Sequence, residues 1–243
     1  MGDVKDEISQ LSRFLNQMFD RLETSFSEIR RFTADASHEL KTPLALVRLH
    51  AERLLVNGNL EPAQKESLQE QLEELARVNQ IIEELLFLSR ADARAISVEL
   101  KEQEPACFLL GFAQDASVLT EHHGRKFSYT HEGDGVAAFE EKRMRQVLLN
   151  LLANALNASP LEGRITLSSK LSEGFWRITM DDEGPGLTTE QCTRLFERFV
   201  RFHPSGSDEK GSGLGLAICR SIVKLHRGKI LRPLARAVAA CTS

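Results

Sequence analysis

Residues 32–44 read FTADASHELKTPL, and they hold the first side chains that could do chemistry. His38 stands beside a carboxylate, Glu39, with Thr42 and Pro43 just behind. Ala36, Leu40, Leu44 and Val47 recur at helical spacing, so this stripe faces a core. His38 is two residues from both Ala36 and Leu40, about 200° around a helix, and so points away from that core. Glu39 can reach the imidazole, hold one ring nitrogen as an N–H donor and leave the other lone pair free. A nucleophilic or proton-transferring histidine is made in this way. Taken alone, an exposed His-Glu pair reads as an ordinary solvated face, so the rest of the chain has to decide.

A second constellation lies in 141–158, a strong helical pattern. Asn150, Asn154 and Asn157 fall at steps of four and three and line one face. Val147, Leu148, Leu151, Leu152 and Ala155 make the opposite, apolar face. Asparagine carbonyls suit a hard cation such as Mg²⁺, which keeps waters and also takes substrate phosphates. By themselves the three asparagines read first as a solvated surface. Asp182-Glu183-Gly184-Pro185-Gly186 then follows a predicted strand. Its glycines let backbone approach a ligand, and a carboxylate at a strand end can accept from an exocyclic amine. Gly211-Ser212-Gly213-Leu214-Gly215-Leu216 opens a predicted helix over 216–226, offering free N–H groups and a favourable dipole to phosphate. It is not a P-loop, because no Gly-Lys-Ser/Thr follows, and not a Rossmann turn, because no strand precedes it. Residues 200–210, between the glycine runs, read as a polar lid.

Elements must position these groups. The chain has 243 residues, enough for one or two domains with real cores. Its 42% apolar and 27% charged content predicts a globular, soluble protein, and its net charge of −4 excludes a broad basic footprint for nucleic acid. Cys107, Cys192, Cys219 and Cys241 show no CxxC pair and read as reduced thiols rather than a metal site or disulfide framework. No apolar run of about 18 residues and no signal peptide is visible.

Residues 3–28 carry a heptad-like stripe of Ile8, Leu11, Leu15, Met18 and Leu22, and one such helix cannot bury it alone. The pattern runs on through Pro43, which should kink or loosen its turn, and stops at Asn57-Gly58-Asn59. A second helix starts at Glu61-Pro62. Leu68, Leu72, Leu75, Asn79, Ile82 and Leu86 form its seam, widened by Val78, Ile81, Leu85 and Leu88. So wide a face suits a four-helix bundle, which two helices complete by homodimerising. After Asp92 the periodicity changes. Residues 103–105 read as a linker, 108–122 as a helix, and 127–131, 136–139, 165–170 and 176–180 as strands. The second half is therefore α+β.

Here a resemblance becomes explicit. FTADASHELKTPL is similar to the phosphoacceptor H-box of bacterial two-component sensor histidine kinases, and RQVLLNLLANALNAS to their N-box. DDEGPG resembles the first glycine box, LFERF the F-box and GSGLGLAI the second glycine box. These five motifs keep the family's order over most of the chain, and 1–24 is similar to the end of a HAMP linker. The resemblance implies a multidomain architecture. A HAMP-like segment occupies 1–24. An all-α hairpin over 25–100 dimerises into a four-helix bundle. An α+β sandwich of GHKL (Bergerat) type, over 101–243, binds ATP. It implies that His38 is the phosphoacceptor, Glu39 the base that orients it, and Thr42 the residue that orients water when a regulator is dephosphorylated. It implies that Asn150 and Asn154 hold Mg²⁺ and that Asp182 contacts the adenine amine. Gly184 and Gly186 would shape the pocket. Gly211, Gly213 and Gly215 would close over the phosphates, with Lys210 and Leu214 also at the nucleotide. Phosphate would pass to an aspartate of a response regulator. The chain would be the cytoplasmic portion of an inner-membrane protein, touching membrane only through segments outside it.

Two departures from the family shape further expectations. Asn157 stands where the family usually has lysine or arginine, which removes a phosphate contact. LRPLARAVAACTS, over 231–243, does not match the family's two closing strands. The closing hairpin is therefore expected to be absent or replaced, leaving an exposed sheet edge, a less stable catalytic domain and weaker ATP binding. That expectation motivates a second reading, a dimeric scaffold that docks a response regulator without turning over ATP. A third, an ATPase of the gyrase or mismatch-repair type, has no use for an exposed histidine on a dimer helix.

Overall fold

The computed structural model describes residues 3–172, 174–202, 211–231 and 237–242, and for 237–242 and much of 3–38 the backbone alone. The chain divides into two compact units, residues 1–96 and 97–243. No helix among the described residues is long and apolar enough to cross a membrane.

The first unit is a helical hairpin. α1, Asp3–Asn57, crosses Pro43 as a single 55-residue helix. Proline removes one donor from the ladder, and the bonds on either side hold the helix together. α1 closes where Gly58 N–H donates to the Leu54 carbonyl at 2.8 Å. α2, Pro62–Asp92, has its proline in the first turn, where the missing N–H is an orphan anyway. Glu61 N–H donates to Gln64 Oε1 at 3.0 Å and fixes that start. Ala51 of α1 and Phe87 and Leu88 of α2 are buried. The seam residues Leu68, Leu72, Leu75, Asn79, Ile82 and Leu86 are only half-buried. On α1, Leu40, Val47 and Leu54 remain 48%, 51% and 52% exposed.

The second unit is α+β. β1, Lys101–Gln103, pairs antiparallel with β3, Ala137–Phe139. The expected linker over 103–105 is thus a strand end and a helix start, since α3 runs Pro105–His122 with Glu104 as its cap residue. Three residues with no apolar alternation leave no strand signal to read. A larger sheet has the order β2-β4-β5-β7-β6. β2 is Lys126–Glu132 and β4 Arg164–Ser172, and they pair in parallel. β5, Phe175–Asp182, returns from β4 as a hairpin with Ser172 opposite Phe175. Burial alternates along β4 and β5, so one face of the sheet is covered. Helices α3, α4 (Glu141–Ala158), α5 (Thr189–Arg194) and α6 (Gly215–Leu225) complete the unit. Phe108, Phe139 and Trp176 meet in the core, with ring centroids 4.7 to 6.2 Å apart. Trp176 donates its indole N–H to Ser169 Oγ at 2.9 Å, which satisfies its one polar atom.

The α+β class stands, but one expectation is corrected. The closing strands are present. β6, Lys229–Leu231, and β7, Ala237–Thr242, both join the sheet. β7 lies between β5 and β6, with Ala239 opposite Ile178 on one side and Ile230 on the other. Strand pairing uses backbone groups, so a run of small and β-branched residues free of Pro, Gly and charge can pair without a family-like sequence.

Candidate functional site

The site is built along α4. Its apolar side, Met144, Val147, Leu148, Leu151, Leu152 and Ala155, is buried. That leaves the asparagine face outward: Asn150 is half-buried, and Asn154 and Asn157 are exposed. The face is open to solvent rather than walled off.

α6 packs against α4 and brings its amino-terminus to Asn150. Asn150 Nδ2 donates to the Gly215 carbonyl at 3.1 Å. A Cβ on Gly215 would lie 3.5 Å from Asn150 Cγ, so the amide rests flat on the glycine. The first α6 bond runs from Ile218 N–H to the Leu214 carbonyl at 2.9 Å. The N–H groups of Gly215, Leu216 and Ala217 lie ahead of it, unspent on the ladder. Leu214 is fully buried and anchors that end. Gly213 has φ +70°. A Cβ there would lie 3.0 Å from the Phe199 backbone, and Phe199 N–H donates to the Gly213 carbonyl at 3.0 Å. Only glycine meets both demands, so the F-box and the second glycine box are pinned together here.

At the other end of α4 lies the 182–186 turn. Asp182 Oδ1 accepts from Gly184 N–H at 2.8 Å. A Cβ on Gly184 would come 2.6 Å from that oxygen and 2.9 Å from both Ala158 Cβ and the Ala158 carbonyl. Gly184 is therefore required by close approach. Gly186 is required by its backbone, φ +72°, with open space around it. From Asn150 to Ala158 is eight residues, about 12 Å of helix. Beside Ala158, which directly follows Asn157, the structure thus seats a carboxylate, and near Asn150 it seats a helix amino-terminus.

Two buried side chains brace this layout. Cys219 is fully buried, and burial pushes its thiol up to about 12, with the Asn150 side chain acting in the other direction. Its Sγ donates to the Val147 carbonyl at 3.7 Å. His226 is 1% exposed. Its Nδ1 lies 2.9 Å from the Ile222 carbonyl, and Nε2 accepts from Glu140 N–H at 3.1 Å. Burial holds its pKa below the usual histidine value.

On the hairpin, Glu39 and Thr42 are exposed on α1. Lys41 pairs with Glu83 of α2 at 2.9 Å. A shallow depression of about 400 Å³ opens beside Thr42, lined also by Lys41, Ala45, Leu46 and Leu49. His38 lies within α1, but its side chain is outside the described residues, as are Lys210 and all of 203–210. Gly211 borders open space. Among the described residues no group of three His, Cys, Asp or Glu could hold a metal ion, so amide oxygens are the donors at hand. Cys107, Cys192 and Cys219 are free thiols.

The sequence reading missed Ala158, Phe199 as the partner of Gly213, and Cys219. Cys219 had a signal, since it sits one turn after Gly215 on the same face. Contact between Ala158 and Gly184 had none, because it joins a helix end to a distant turn.

Comparison with known proteins covers both units. Residues 28–94 match the His Kinase A (phospho-acceptor) domain. Residues 139–237 match the histidine kinase-, DNA gyrase B- and HSP90-like ATPase. Sensor histidine kinase CusS of Escherichia coli K12 is 30% identical over 228 residues, covering 93% of this chain and 47% of that protein. Signal transduction histidine-protein kinase BaeS of the same strain is 31% identical over 237 residues, covering 93% of this chain and 48% of its own. The chain spans about half the length of the curated relatives it matches. Among solved structures, full-length ShkA in complex with AMPPNP superposes with TM-score 0.73 at 27% identity, over 87% of this chain and 46% of that one. The histidine kinase AdeS of Acinetobacter baumannii, at TM-score 0.58 and 21% identity over 84% of this chain and 97% of its own, shares the fold. With the two matched domains in the order of the five motifs, the chain belongs to the bacterial two-component sensor histidine kinases and carries their phosphoacceptor helices and GHKL-type ATPase domain.

Proposed function

We propose that this chain is an ATP-dependent protein-histidine kinase that phosphorylates His38 and hands the phosphoryl group to an aspartate of a response regulator. The observation that carries the reading is the bond from Asn150 to Gly215. It brings the asparagine face of α4 to the unspent N–H groups of α6, which is where a triphosphate and its cation would be met together.

In this reading Asp182 takes the adenine amine. One oxygen is spent on Gly184 N–H, and no hydrogen bond among the described residues takes up the other. Gly184 and Gly186 shape the turn beneath the base. Gly211, Gly213, Leu214 and Gly215, with Lys210, receive the phosphates. Asn150 and Asn154 fit Mg²⁺, since their amide oxygens are hard donors and no hydrogen bond among the described residues takes up Asn150 Oδ1 while its nitrogen faces Gly215. Bound there, the ion would neutralise phosphate charge. Glu39 orients the His38 imidazole and relieves it of its proton, so that the free lone pair attacks the γ-phosphorus as ADP leaves. Catalysis is then mostly positioning and charge neutralisation. Thr42 serves the reverse, regulator-dephosphorylating reaction by orienting water.

The division into a HAMP-like end over 1–24, a dimerisation and phosphotransfer region over 25–100 and a catalytic region over 101–243 belongs to the same proposal. So does a homodimer, supported by the half-covered seam and the exposed Leu40, Val47 and Leu54. The chain works on the cytoplasmic side of a membrane receptor. The scaffold reading loses its motive, because β6 and β7 complete the sheet.

Incubation with γ-labelled ATP and Mg²⁺ tests the kinase. An acid-labile, base-stable label on the chain, absent from His38→Ala, is expected. Label that persists in His38→Ala, or none in the wild type, overturns the reading.

A further inference from the structure

The guanidinium of Arg125 stands at the carboxyl ends of two helices. Its Nη1 donates to the carbonyl of His123, the C-cap residue of α3. Its Nη2 donates to the carbonyl of Ser159, the C-cap residue of α4, at 3.0 Å. Carbonyls at a helix end have no partner within the helix and carry the negative end of its dipole, so a forked cation suits both at once. The contact lies partly below the surface. Arg125 Nε and Ser159 Oγ are both buried, and no hydrogen bond among the described residues reaches either. A cation whose inner nitrogen is already out of water loses much if one of its carbonyls moves away. The clamp is therefore stiff.

From Ser159 the path to the 182–184 turn is one residue long. Ala158 precedes Ser159, and its Cβ and carbonyl leave Gly184 no room for a side chain. Gly184 N–H in turn donates to Asp182 Oδ1 at 2.8 Å. The turn has a second tether on the sheet, where Glu183 Oε2 accepts from Arg164 N–H at 3.1 Å. Arg164 pairs with Lys126, the residue after Arg125. These contacts close a ring that leaves Arg125, crosses the end of α4 and the turn, and returns along β4 and β2. Two links of the ring are side chains. The Glu183 link is exposed, where water competes for it, whereas the Arg125 link to Ser159 is part-buried.

We propose that Arg125 is a positioning residue for recognition of the adenine base. By holding the end of α4 at Ser159 it fixes Ala158, the platform on which Gly184 and with it the Asp182 carboxylate are seated. This rests on the reading of Asp182 as the contact of the adenine amine. Arg125 acts through Ala158 and Gly184, not on the base itself. Opening the clamp lets the end of α4 shift, and the carboxylate shifts with the turn. The phosphate-facing amino-terminus of α6 meets α4 near Asn150, two turns away, and keeps its place. The loss therefore falls on the base contact and spares the phosphate contacts.

The test uses the full chain and titration calorimetry with two nucleotides, ADP and inosine diphosphate. ADP offers an amine at C6, whereas inosine diphosphate sets an oxygen against the carboxylate there. Wild type, Arg125→Met, Arg125→Lys and Asp182→Ala are compared, each below its own melting transition. Wild type should prefer ADP. Arg125→Met should weaken ADP about tenfold, the scale of one hydrogen bond to a charged group, and leave inosine diphosphate within about twofold. Arg125→Lys keeps the charge without the fork and should fall between. Equal weakening of both nucleotides in Arg125→Met would make Arg125 a packing residue and overturn the proposal. A wild-type preference in Arg125→Met, beside a lost one in Asp182→Ala, would overturn it alone. No preference in wild type, or one that survives in Asp182→Ala, would overturn the reading of Asp182 and this one with it. If Arg125→Met does not fold, Arg125→Lys decides. A narrowed preference there supports the proposal, and a preference equal to wild type overturns it.

Discussion

His226, at the end of α6, accepts the backbone N–H of Glu140 through Nε2 at 3.1 Å. Glu140 is the cap residue of α4. One imidazole therefore ties the far end of the phosphate-facing helix to the start of the asparagine helix. Nδ1 donates to the Ile222 carbonyl at 2.9 Å, which leaves Nε2 as the acceptor and makes the ring neutral.

That neutrality predicts a pH dependence. Burial lowers the His226 pKa, outweighing the Ile222 carbonyl and the Glu140 carboxylate, which raise it; Arg143 adds to the lowering. The unfolded chain therefore binds the proton first. Stability from this residue is complete above about pH 6.5 and is lost as pH falls through that value towards the lower folded pKa. Thermal melting of the 97–243 unit should drop between pH 7.5 and 5.5. His226→Gln should lower stability by about 1–3 kcal/mol at pH 7.5, by disturbing a buried bond, and should flatten the drop. An equal drop in the variant would place its cause elsewhere.

The two glycines of the 182–186 turn should respond differently. Gly184→Ala forces a methyl within 2.6 Å of the Asp182 carboxylate and 2.9 Å of Ala158. The carboxylate must move, so nucleotide affinity should fall at least about tenfold, a loss of about 1.4 kcal/mol. Gly186→Ala meets open space and only the strain of φ +72°, about 1 kcal/mol of stability. Its affinity should change by less. Equal affinities in the two variants, measured by titration calorimetry, would count against Asp182 as the base contact.

Closure of the sheet can be tested through its newest strand. Ala239 pairs with Ile178 and with Ile230. Proline there removes a ladder donor inside a paired strand. Ala239→Pro should cost at least about 2 kcal/mol, from the lost bond and the displaced partner. A melting temperature equal to wild type would show that β7 adds nothing to the sheet.

Glu39 should separate chemistry from binding. It is exposed on α1, whereas the nucleotide would be held on the other unit. Glu39→Gln keeps the size and removes the base. Autophosphorylation should slow by about 100-fold, with ATP affinity as in wild type. A rate within twofold of wild type would remove Glu39 from the proton transfer.

Much of the architecture was legible because it rests on period. Residues 141–158 read as a helix and are α4 to the residue, since its apolar stripe, Val147 to Ala155, repeats every three to four positions. β4 and β5 were legible from alternation, and Asn57-Gly58 from turn chemistry. β1 and β7 were not. β1 has three residues, too few to show a period. β7 carries residues unlike the family's closing strands, although pairing depends on backbone donors and acceptors.

The sequence alone determined which residues are available for chemistry and which helix or turn carries each one. His38 beside Glu39, the asparagines at steps of four and three, and the two glycine runs are properties of local order, and local order is set by steric preference and spacing. Only the tertiary structure decided that Asn150 lies against Gly215, that Ala158 leaves room for Gly184 and nothing larger, and that 237–242 fills the gap between β5 and β6. The Asn150–Gly215 and Ala158–Gly184 contacts and the pairing of β5 with β7 join residues 26 or more positions apart. They follow from how whole faces pack, where one neighbour's shape sets another's place, and no spacing rule along the chain contains that information.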